Sequence, residues 1–391
     1  MRKSVYKKII FESFLKGYEN QKKSYDSLLK STGKSISHKE FKIERVLNYF
    51  GCSKTLKGPF LSIFYIMGFL EFPFSIFILL VRFLIVLVKK NKAKKNHLDD
   101  NILLSLSTKE PFYEGLMSNF NLNYSVLKIP FMHLDNSRHK EINVLSGVSI
   151  MNIIIAYLWS LQFVSKYLFH YSGKDLFFRF YSCFEYFLTY FFIINSKEQI
   201  VYYFFNTYDR WSYLMDISEH NTIWIQHGIL YDDIKFAKLN NIKIAYYISP
   251  SQKNICESVL FNCKPTAFYR KTIELTPLDS CFYEIGKKNV LLICNTFFFE
   301  NEKEIINSID YNQYILILKT HPKHSTELYQ KYVNNRTIWL AKPFTFPRVD
   351  YVISYASTLA DEYEAVGIKV FRYDSNISVA SLIINFNTIT Q

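Results

Sequence analysis

The feature that most constrains the fold is an alternation, between about residues 100 and 374, of short apolar runs with longer stretches of helical periodicity. Short runs rich in β-branched and aromatic residues and bounded by polar residues are typical of buried strands. Strands that alternate with helices favour a mostly parallel, doubly wound α/β sheet. The runs predicted to contain strands are residues 101–107, 200–205, 223–225, 242–248, 289–295, 314–322, 337–341, 350–357 and 368–374.

The alternation pauses between residues 265 and 285, where proline and polar residues predict a linker. We therefore expect two Rossmann-like, doubly wound α/β domains in series, the first at residues 99–265 and the second at residues 266–391. Within the first, residues 150–195 have helical spacing. Residues 1–98 are expected to form a helical, basic N-terminal region.

Composition excludes several classes of protein. The 391 residues include only 11 glycines, and neither G-x-G-x-x-G nor the P-loop pattern occurs, which argues against a dinucleotide-binding oxidoreductase and a P-loop NTPase. The six cysteines are scattered, without zinc-ligand spacing, so a reducing compartment fits best. No Asp-x-Asp occurs. We therefore expect chemistry without a bound metal ion or cofactor.

The net charge of +13 is confined to the N-terminal region. Residues 1–95 hold 20 Lys and Arg against 6 Asp and Glu, whereas residues 96–391 hold 27 against 28. A nucleic-acid-binding domain needs a basic stripe along its own surface, and the body of this chain has no surplus from which to build one. Nucleic acid is therefore not an expected partner.

The basic surplus surrounds the most apolar stretch of the chain, residues 59–88, which is interrupted by Glu71 and Arg82 and followed by the lysine-rich run 89–95. A membrane span needs about 20 apolar residues in a helix, and the part after Pro73 is shorter than that. We expect an in-plane or re-entrant helical hairpin on the cytoplasmic side of a membrane, with its lysines facing anionic lipid. The alternative is a buried hairpin packed on the next domain, followed by a solvated linker.

Three polar clusters fall where predicted strands end, which is where open α/β sheets bind ligands. Each cluster has a structural alternative, since a lone histidine in a loop often only makes hydrogen bonds and Ser-Thr before a helix is first of all an N-cap. We expect the clusters to face one another across a two-domain cleft, with the helix start binding phosphate and lysine and histidine supplying positive charge. The clusters are Gln226, His227 and Gly228; Lys319, Thr320 and His321; and Ser357 and Thr358 with Glu362 in the following helix.

The segment 350–371, DYVISYASTLADEYEAVGIKVF, resembles the nucleotide-binding segment in the second domain of GT-B glycosyltransferases. LKTHP and IQHG are similar to the His-Pro and His-Gly motifs of bacterial enzymes that build capsule, teichoic acid and lipopolysaccharide chains. These enzymes include CDP-glycerol glycerophosphotransferases and polysialyltransferase-like capsule glycosyltransferases. The resemblance covers about residues 100–375, and it departs from the pattern at Tyr363, where alanine is usual.

The resemblance implies a role for each cluster. His321 matches the histidine that stabilises the phosphate of the nucleotide donor or protonates the leaving group, and His227 is the candidate general base on the acceptor hydroxyl. Lys319, Thr320, Ser357 and Thr358 fall at donor-binding positions, and Glu362 matches a residue that often holds the transferred sugar. Gln226 and Gly228 are placed at the acceptor or cleft side.

We expect a metal-independent transferase that moves a sugar or polyol phosphate from a nucleotide-activated donor to a growing capsule, teichoic acid or lipopolysaccharide chain, with inversion if a sugar is moved. The acceptor is lipid-linked or a polysaccharide, and the enzyme is peripheral or monotopic on the cytoplasmic face of the bacterial inner membrane. The alternatives are a nucleotide-sugar 2-epimerase-like enzyme and a non-catalytic scaffold of a polysaccharide assembly complex.

Overall fold

The structure is a computed structural model in which the chain divides into two compact units. Unit 1 comprises residues 1–25 and 59–270, and unit 2 comprises residues 26–58 and 271–391. The domain boundaries drawn from the sequence stay predictions. The residues described are 2–31, 57–92, 99–104, 117, 120, 122–131, 140–171, 182–205, 207, 209–230, 232, 234–270, 273–277, 286–320, 326–334, 336–342, 345–355, 357–373 and 377–390.

Unit 1 is built on a parallel sheet, whose described strands are β1 (Asn101–Leu104), β2 (Ser125–Lys128), β3 (Glu141–Asn143), β4 (Val201–Phe204), β5 (Asn221–Ile225), β6 (Ile244–Tyr247) and β7 (Thr266–Tyr269). Their order is β3-β2-β1-β4-β5-β6-β7, with every pair parallel. Leu103 of β1 packs into the core on one face of the sheet and Ile102 and Leu104 into the core on the other, which explains an uninterrupted apolar run. The winding changes direction between β1 and β4.

The helices that belong wholly or mainly to unit 1 are α1 (Arg2–Ser31), α2 (Lys57–Lys92), α3 (Val144–Gly147), α4 (Ile150–Tyr171), α5 (Cys183–Ile194), α6 (Arg210–Ile217) and α7 (Pro250–Val259). Aromatic rings join α1 to α4 and α5: Phe11 lies 5.1 Å from Phe163 and Phe14 lies 5.2 Å from Tyr186, centroid to centroid. A Cβ atom on Gly17 would lie 2.2 Å from the backbone nitrogen of Arg210, so the close approach of α1 to α6 requires glycine.

Helix α2 corrects the expectation of a hairpin, because it runs without a break through Pro73. A proline inside a helix removes one hydrogen bond and costs about 3 kcal/mol. After Pro73, Leu79 and Val86 are fully buried and the ring of Phe83 stacks on Tyr157 of α4 at 4.3 Å. These contacts offset the cost of the proline. Among the described residues, no helix combines the length and apolarity that crossing a bilayer demands.

Unit 2 has its own parallel sheet, with the described strands β8 (Lys288–Cys294), β9 (Tyr314–Thr320), β10 (Ile338–Leu340), β11 (Tyr351–Ser354) and β12 (Lys369–Arg372). The order β10-β9-β8-β11-β12 places the change of winding direction between β8 and β11. Its described helices are α8 (Phe299–Ser308), α9 (Glu327–Gln330), α10 (Thr358–Ala365) and α11 (Val379–Thr390). Phe386 of α11 is buried against Tyr314 and Phe371, so this last helix packs on the sheet of its own unit.

The predicted fold class is confirmed in each unit, since both are doubly wound, parallel and Rossmann-like. Every strand predicted from the sequence is present. Most are shorter than predicted, whereas β5 begins two residues earlier and β8 is shifted by one residue. Strands β2, β3 and β7 were missed, and β7 lies inside the stretch predicted as a linker. Strand β7 is an edge strand with mostly exposed side chains, so it lacks the apolar run that marks a buried strand.

Candidate functional site

His227 lies in the loop after β5, at the carboxyl edge of the sheet of unit 1. Its half-buried imidazole meets the ring of Phe205, which directly follows β4, edge to face at 5.8 Å between centroids. Two neighbouring strands therefore place the imidazole where parallel sheets bind ligands.

Gln226 positions that loop from inside. Its side chain is fully buried, and its Nε2 donates to the backbone oxygen of Gly228 at 2.9 Å and to Oε1 of Gln252 at 2.7 Å. Its Oε1 accepts from the backbone N–H of Ile248 at 3.1 Å. The amide of Gln226 thus ties the end of β5 to the end of β6, and the residue fixes the backbone on both sides of His227.

Gln252 is a supporting residue that the sequence analysis missed. Its Oε1 also accepts from the backbone N–H of Leu230 at 2.9 Å, so one amide pair holds both ends of the His227 loop. Ser249, the N-cap of α7, accepts from the backbone N–H of Gln252 at 3.2 Å and sets the start of that helix. The Ser-Pro pair marks the helix start in the sequence, but nothing local marks the glutamine.

In unit 2, polar residues gather where the winding direction changes between β8 and β11. Asn295 and Thr296 follow β8, and Tyr355 follows β11, with its ring stacked on Phe298 at 5.3 Å. The hydroxyl oxygen of Thr296 is buried and has no hydrogen-bond partner within the part of the chain that the structure describes. A buried hydroxyl without a hydrogen-bond partner costs free energy unless a ligand or a water molecule supplies that partner.

Ser357 is the N-cap of α10, as the structural alternative predicted. Its Oγ accepts from the backbone N–H of Ala360 at 3.2 Å and lies 3.1 Å from the Oγ of the buried Ser354. Thr358 is half-buried at the first position of the helix, and Glu362 is buried one turn later. The cap leaves a helix N-terminus, with its partial positive charge, at the carboxyl edge of the sheet.

Lys319 and Thr320 close strand β9. Lys319 is 4% exposed, and its ammonium donates to the backbone oxygen of Lys342 at 2.8 Å and lies 5.5 Å from the ring centre of Phe346. Burial lowers the pKa of Lys319 to about 8, so the group is mostly charged at neutral pH. Thr320 is half-buried, and His321 lies outside the described residues. Within those residues, no three His, Cys, Asp or Glu side chains are grouped to hold a metal ion.

Comparisons with known proteins give weak likenesses to glycosyltransferases. No family model matches the sequence, and no curated protein matches it. The chain resembles a structure of the wall teichoic acid polymerase TagF at 10% identity, over 76% of this chain and 78% of that one, with a TM-score of 0.38. It resembles the glycosyltransferase SnogD from Streptomyces nogalater at 6% identity, over 73% of this chain and 85% of that one, with a TM-score of 0.40. It resembles MurG of Acinetobacter baumannii at 10% identity, over 74% of this chain and 90% of that one, with a TM-score of 0.36.

These matched structures belong to the class that the sequence resemblance names, the GT-B glycosyltransferases. At such identities and TM-scores they say nothing of what this chain binds or transfers.

Proposed function

We propose that the protein is a transferase that moves a sugar or polyol phosphate from a nucleotide-activated donor to a growing bacterial surface polymer of the capsule, teichoic acid or lipopolysaccharide type. The observation that carries the proposal is the polar edge of unit 2 between β8 and β11. There the buried hydroxyl of Thr296 lies at the same edge as the capped start of α10.

That edge suits the phosphates of a nucleotide donor. Ligands of doubly wound sheets bind outside the carboxyl ends of strands where the winding direction changes. A helix N-terminus favours anions through its free N–H groups and dipole, and the cationic Lys319 closes the neighbouring strand β9. Hydroxyl donors, a helix start and a lysine together favour a phosphate ligand over an apolar one.

In the proposed reaction the acceptor hydroxyl oxygen forms a bond to the anomeric carbon of a sugar, or to the phosphorus of a polyol phosphate. The bond from that atom to the leaving oxygen of the nucleotide breaks, and its electron pair leaves with the nucleotide. His227 takes the proton of the acceptor hydroxyl as general base. Lys319 and His321 stabilise the negative charge of the leaving phosphate.

Calorimetric titration of the purified full chain with CDP, UDP and CMP tests the donor site. We expect one of the three to bind, and Thr296→Val together with Ser354→Ala to weaken binding about tenfold, the loss of one or two hydrogen bonds to a charged ligand. Ser308→Ala, which removes an exposed hydroxyl at the far end of α8, is the matched control. If none of the nucleotides binds, the proposed function is wrong.

The membrane surface is the partner proposed for α2. Large apolar side chains three and four positions apart leave one side of this helix exposed, and Phe77 is 62% exposed. Arg82 points away from that stripe, pairing with Glu185 and lying 4.5 Å from the ring centre of Phe131. The charge inside the apolar run is therefore satisfied within unit 1. The exposed apolar residues of the stripe are Phe74, Phe77, Leu80, Val81, Leu84, Ile85 and Val88.

Helix α4 presents exposed apolar residues as well, at Ile150, Met151, Ile154 and Leu158, and the stacked rings of Phe83 and Tyr157 join it to α2. The stripe leads directly into Lys89 and the lysines that follow it in the sequence. Lysines beside an apolar helix face are attracted to anionic lipid by about 1 kcal/mol each. The combination favours a bilayer surface on the cytoplasmic side over a neutral apolar partner.

Sedimentation with vesicles tests this placement. We expect the protein to bind vesicles that contain phosphatidylglycerol more strongly than pure phosphatidylcholine vesicles, and the triple variant Phe77→Ser, Leu84→Ser and Val88→Ser to lose most of that binding. Ile384→Ser, at an apolar residue of α11 that is 67% exposed, is the control. Self-association of the wild type that the triple variant abolishes, without vesicle binding, would assign the stripe to a second copy of the chain instead.

A further inference from the structure

A buried carboxylate lies beneath the polar edge of unit 2. Glu302, on α8, is fully buried, and its Oε1 accepts from the backbone N–H of Asn295 at 2.6 Å and from the hydroxyl of Tyr373 at 2.9 Å. Its Oε2 accepts from the hydroxyl of Tyr329 at 2.5 Å. One side chain therefore receives three hydrogen bonds.

The three hydrogen-bond donors come from three separate segments. Asn295 is the first residue after β8, Tyr373 is the first residue after β12, and Tyr329 lies in α9. Because the carboxyl ends of parallel strands lie at the same edge of a sheet, Glu302 connects segments that meet at that edge.

The backbone held by Glu302 leads directly into the proposed nucleotide site. Thr296, whose hydroxyl has no partner among the described residues, follows Asn295. Phe298 stacks on Tyr355 and meets the ring of Tyr373 edge to face at 5.9 Å. A shift of the Asn295 backbone would therefore move Thr296 and Phe298 together.

Retaining an ionisable group here is unfavourable for folding. Burial raises the pKa of Glu302 to about 7, although all three hydrogen bonds favour its charged form. Burial, with the nearby charge of Glu302, also raises the pKa values of Tyr329, Tyr373 and Cys294, so these neighbours keep their protons at neutral pH. An apolar side chain would fill the space without this cost, which points to a use for the carboxylate.

We propose that Glu302 is a positioning residue for the nucleotide donor, which as a carboxylate holds the loop after β8 in its binding geometry. The inference rests on the proposed function, because it assigns a role within that donor site. When Glu302 gains a proton, one of its oxygens becomes a hydrogen-bond donor and one of the three bonds must reverse or break. Nucleotide affinity should therefore rise as the pH rises through about 7, where Glu302 loses its proton.

The test compares Glu302→Gln, which keeps the shape and cannot ionise, with Glu304→Gln, an exposed glutamate on the same helix. Nucleotide affinity is titrated calorimetrically from pH 5.5 to 8.5 with whichever of CDP, UDP and CMP the wild type binds. We expect Glu302→Gln to weaken binding about tenfold at pH 8, the loss of one hydrogen bond to a charged acceptor, and to remove the rise near pH 7. Glu304→Gln should bind as the wild type does.

Hydrogen exchange of the free protein supplies a second readout that needs no ligand. In Glu302→Gln the Asn295 amide should exchange faster at pH 8, whereas amides in the middle of β8 should stay as protected as in the wild type. Equal affinities in both variants, or unchanged Asn295 exchange, would overturn the positioning role. If the wild type binds no nucleotide while Asn295 exchange responds to Glu302→Gln, the donor site is wrong and the structural contact stands.

Discussion

The glutamine pair at the sheet edge of unit 1 and the Thr296 hydroxyl at the sheet edge of unit 2 differ in how far the protein itself satisfies their hydrogen bonds. In unit 1 the amides of Gln226 and Gln252 pair with each other and with backbone groups on both sides of His227. In unit 2 the hydroxyl of Thr296 is buried without a partner in the described residues, above the buried carboxylate of Glu302. The two glutamine amides that hold the His227 loop are satisfied within unit 1, whereas the Thr296 hydroxyl keeps hydrogen-bonding capacity for a ligand. A closed hydrogen-bond network suits a residue that must be held still, and an open one suits a binding site.

The largest effect is expected at His227. Loss of a general base typically lowers kcat by about 10²- to 10⁴-fold, so His227→Ala should reduce turnover in that range while nucleotide binding stays unchanged. The measurement is nucleotide release in the presence of acceptor. The matched control is His220→Ala, since His220 immediately precedes β5 and lies at the opposite end of that strand. Equal turnover in the two variants would show that His227 has no role in the reaction.

The closed network of unit 1 predicts a loss of stability. Gln226→Leu removes three hydrogen bonds, so the backbone oxygen of Gly228, the Oε1 of Gln252 and the N–H of Ile248 each lose one partner. We expect this to lower the free energy of unfolding by about 2 to 4 kcal/mol. Urea denaturation followed by tryptophan fluorescence measures it, with Trp224 on β5 as a nearby reporter. A loss below about 0.5 kcal/mol, the usual scale of a surface substitution, would show that the amide pair does not hold the loop.

At the edge of unit 2, removing a polar group should change the free energy of unfolding in the opposite direction and by a smaller amount. Thr296→Val keeps the shape of the side chain and removes a buried hydroxyl that has no described partner, so the free protein should gain up to about 1 kcal/mol of stability. The same denaturation experiment measures the gain. A clear destabilisation would mean that the hydroxyl already has a partner in the free protein.

The sequence predicted the elements that local periodicity marks. The run from Asn289 to Asn295 is apolar because β8 is buried on both faces, and the polar residues after β5, β9 and β11 could be placed at a sheet edge by position alone. Short strands such as β3 carry too few residues to show a period. Pro73 was read as a break because the sequence does not show the packing that keeps α2 helical on both sides of it.

The supporting residues of the candidate site could not be predicted, because their partners are distant in the chain. Gln226 and Gln252 are 26 residues apart, and Glu302 and Tyr373 are 71 residues apart. Neither a glutamine in a loop nor a glutamate in a helix carries a local signal of burial. His227, Ser357 and Lys319 were proposed from the sequence because they directly follow or end apolar runs.

By itself, the order of residues determined which segments become strands and helices, since side-chain spacing acts within a few positions of the backbone. It also determined where polar groups interrupt those segments. Only the tertiary structure decided that β8 lies between β9 and β11, and that the buried Glu302 accepts hydrogen bonds from three segments. Burial there changes an ordinary carboxyl into a group that titrates near neutral pH, because the free energy of a charge depends on its surroundings and not on its neighbours in the chain.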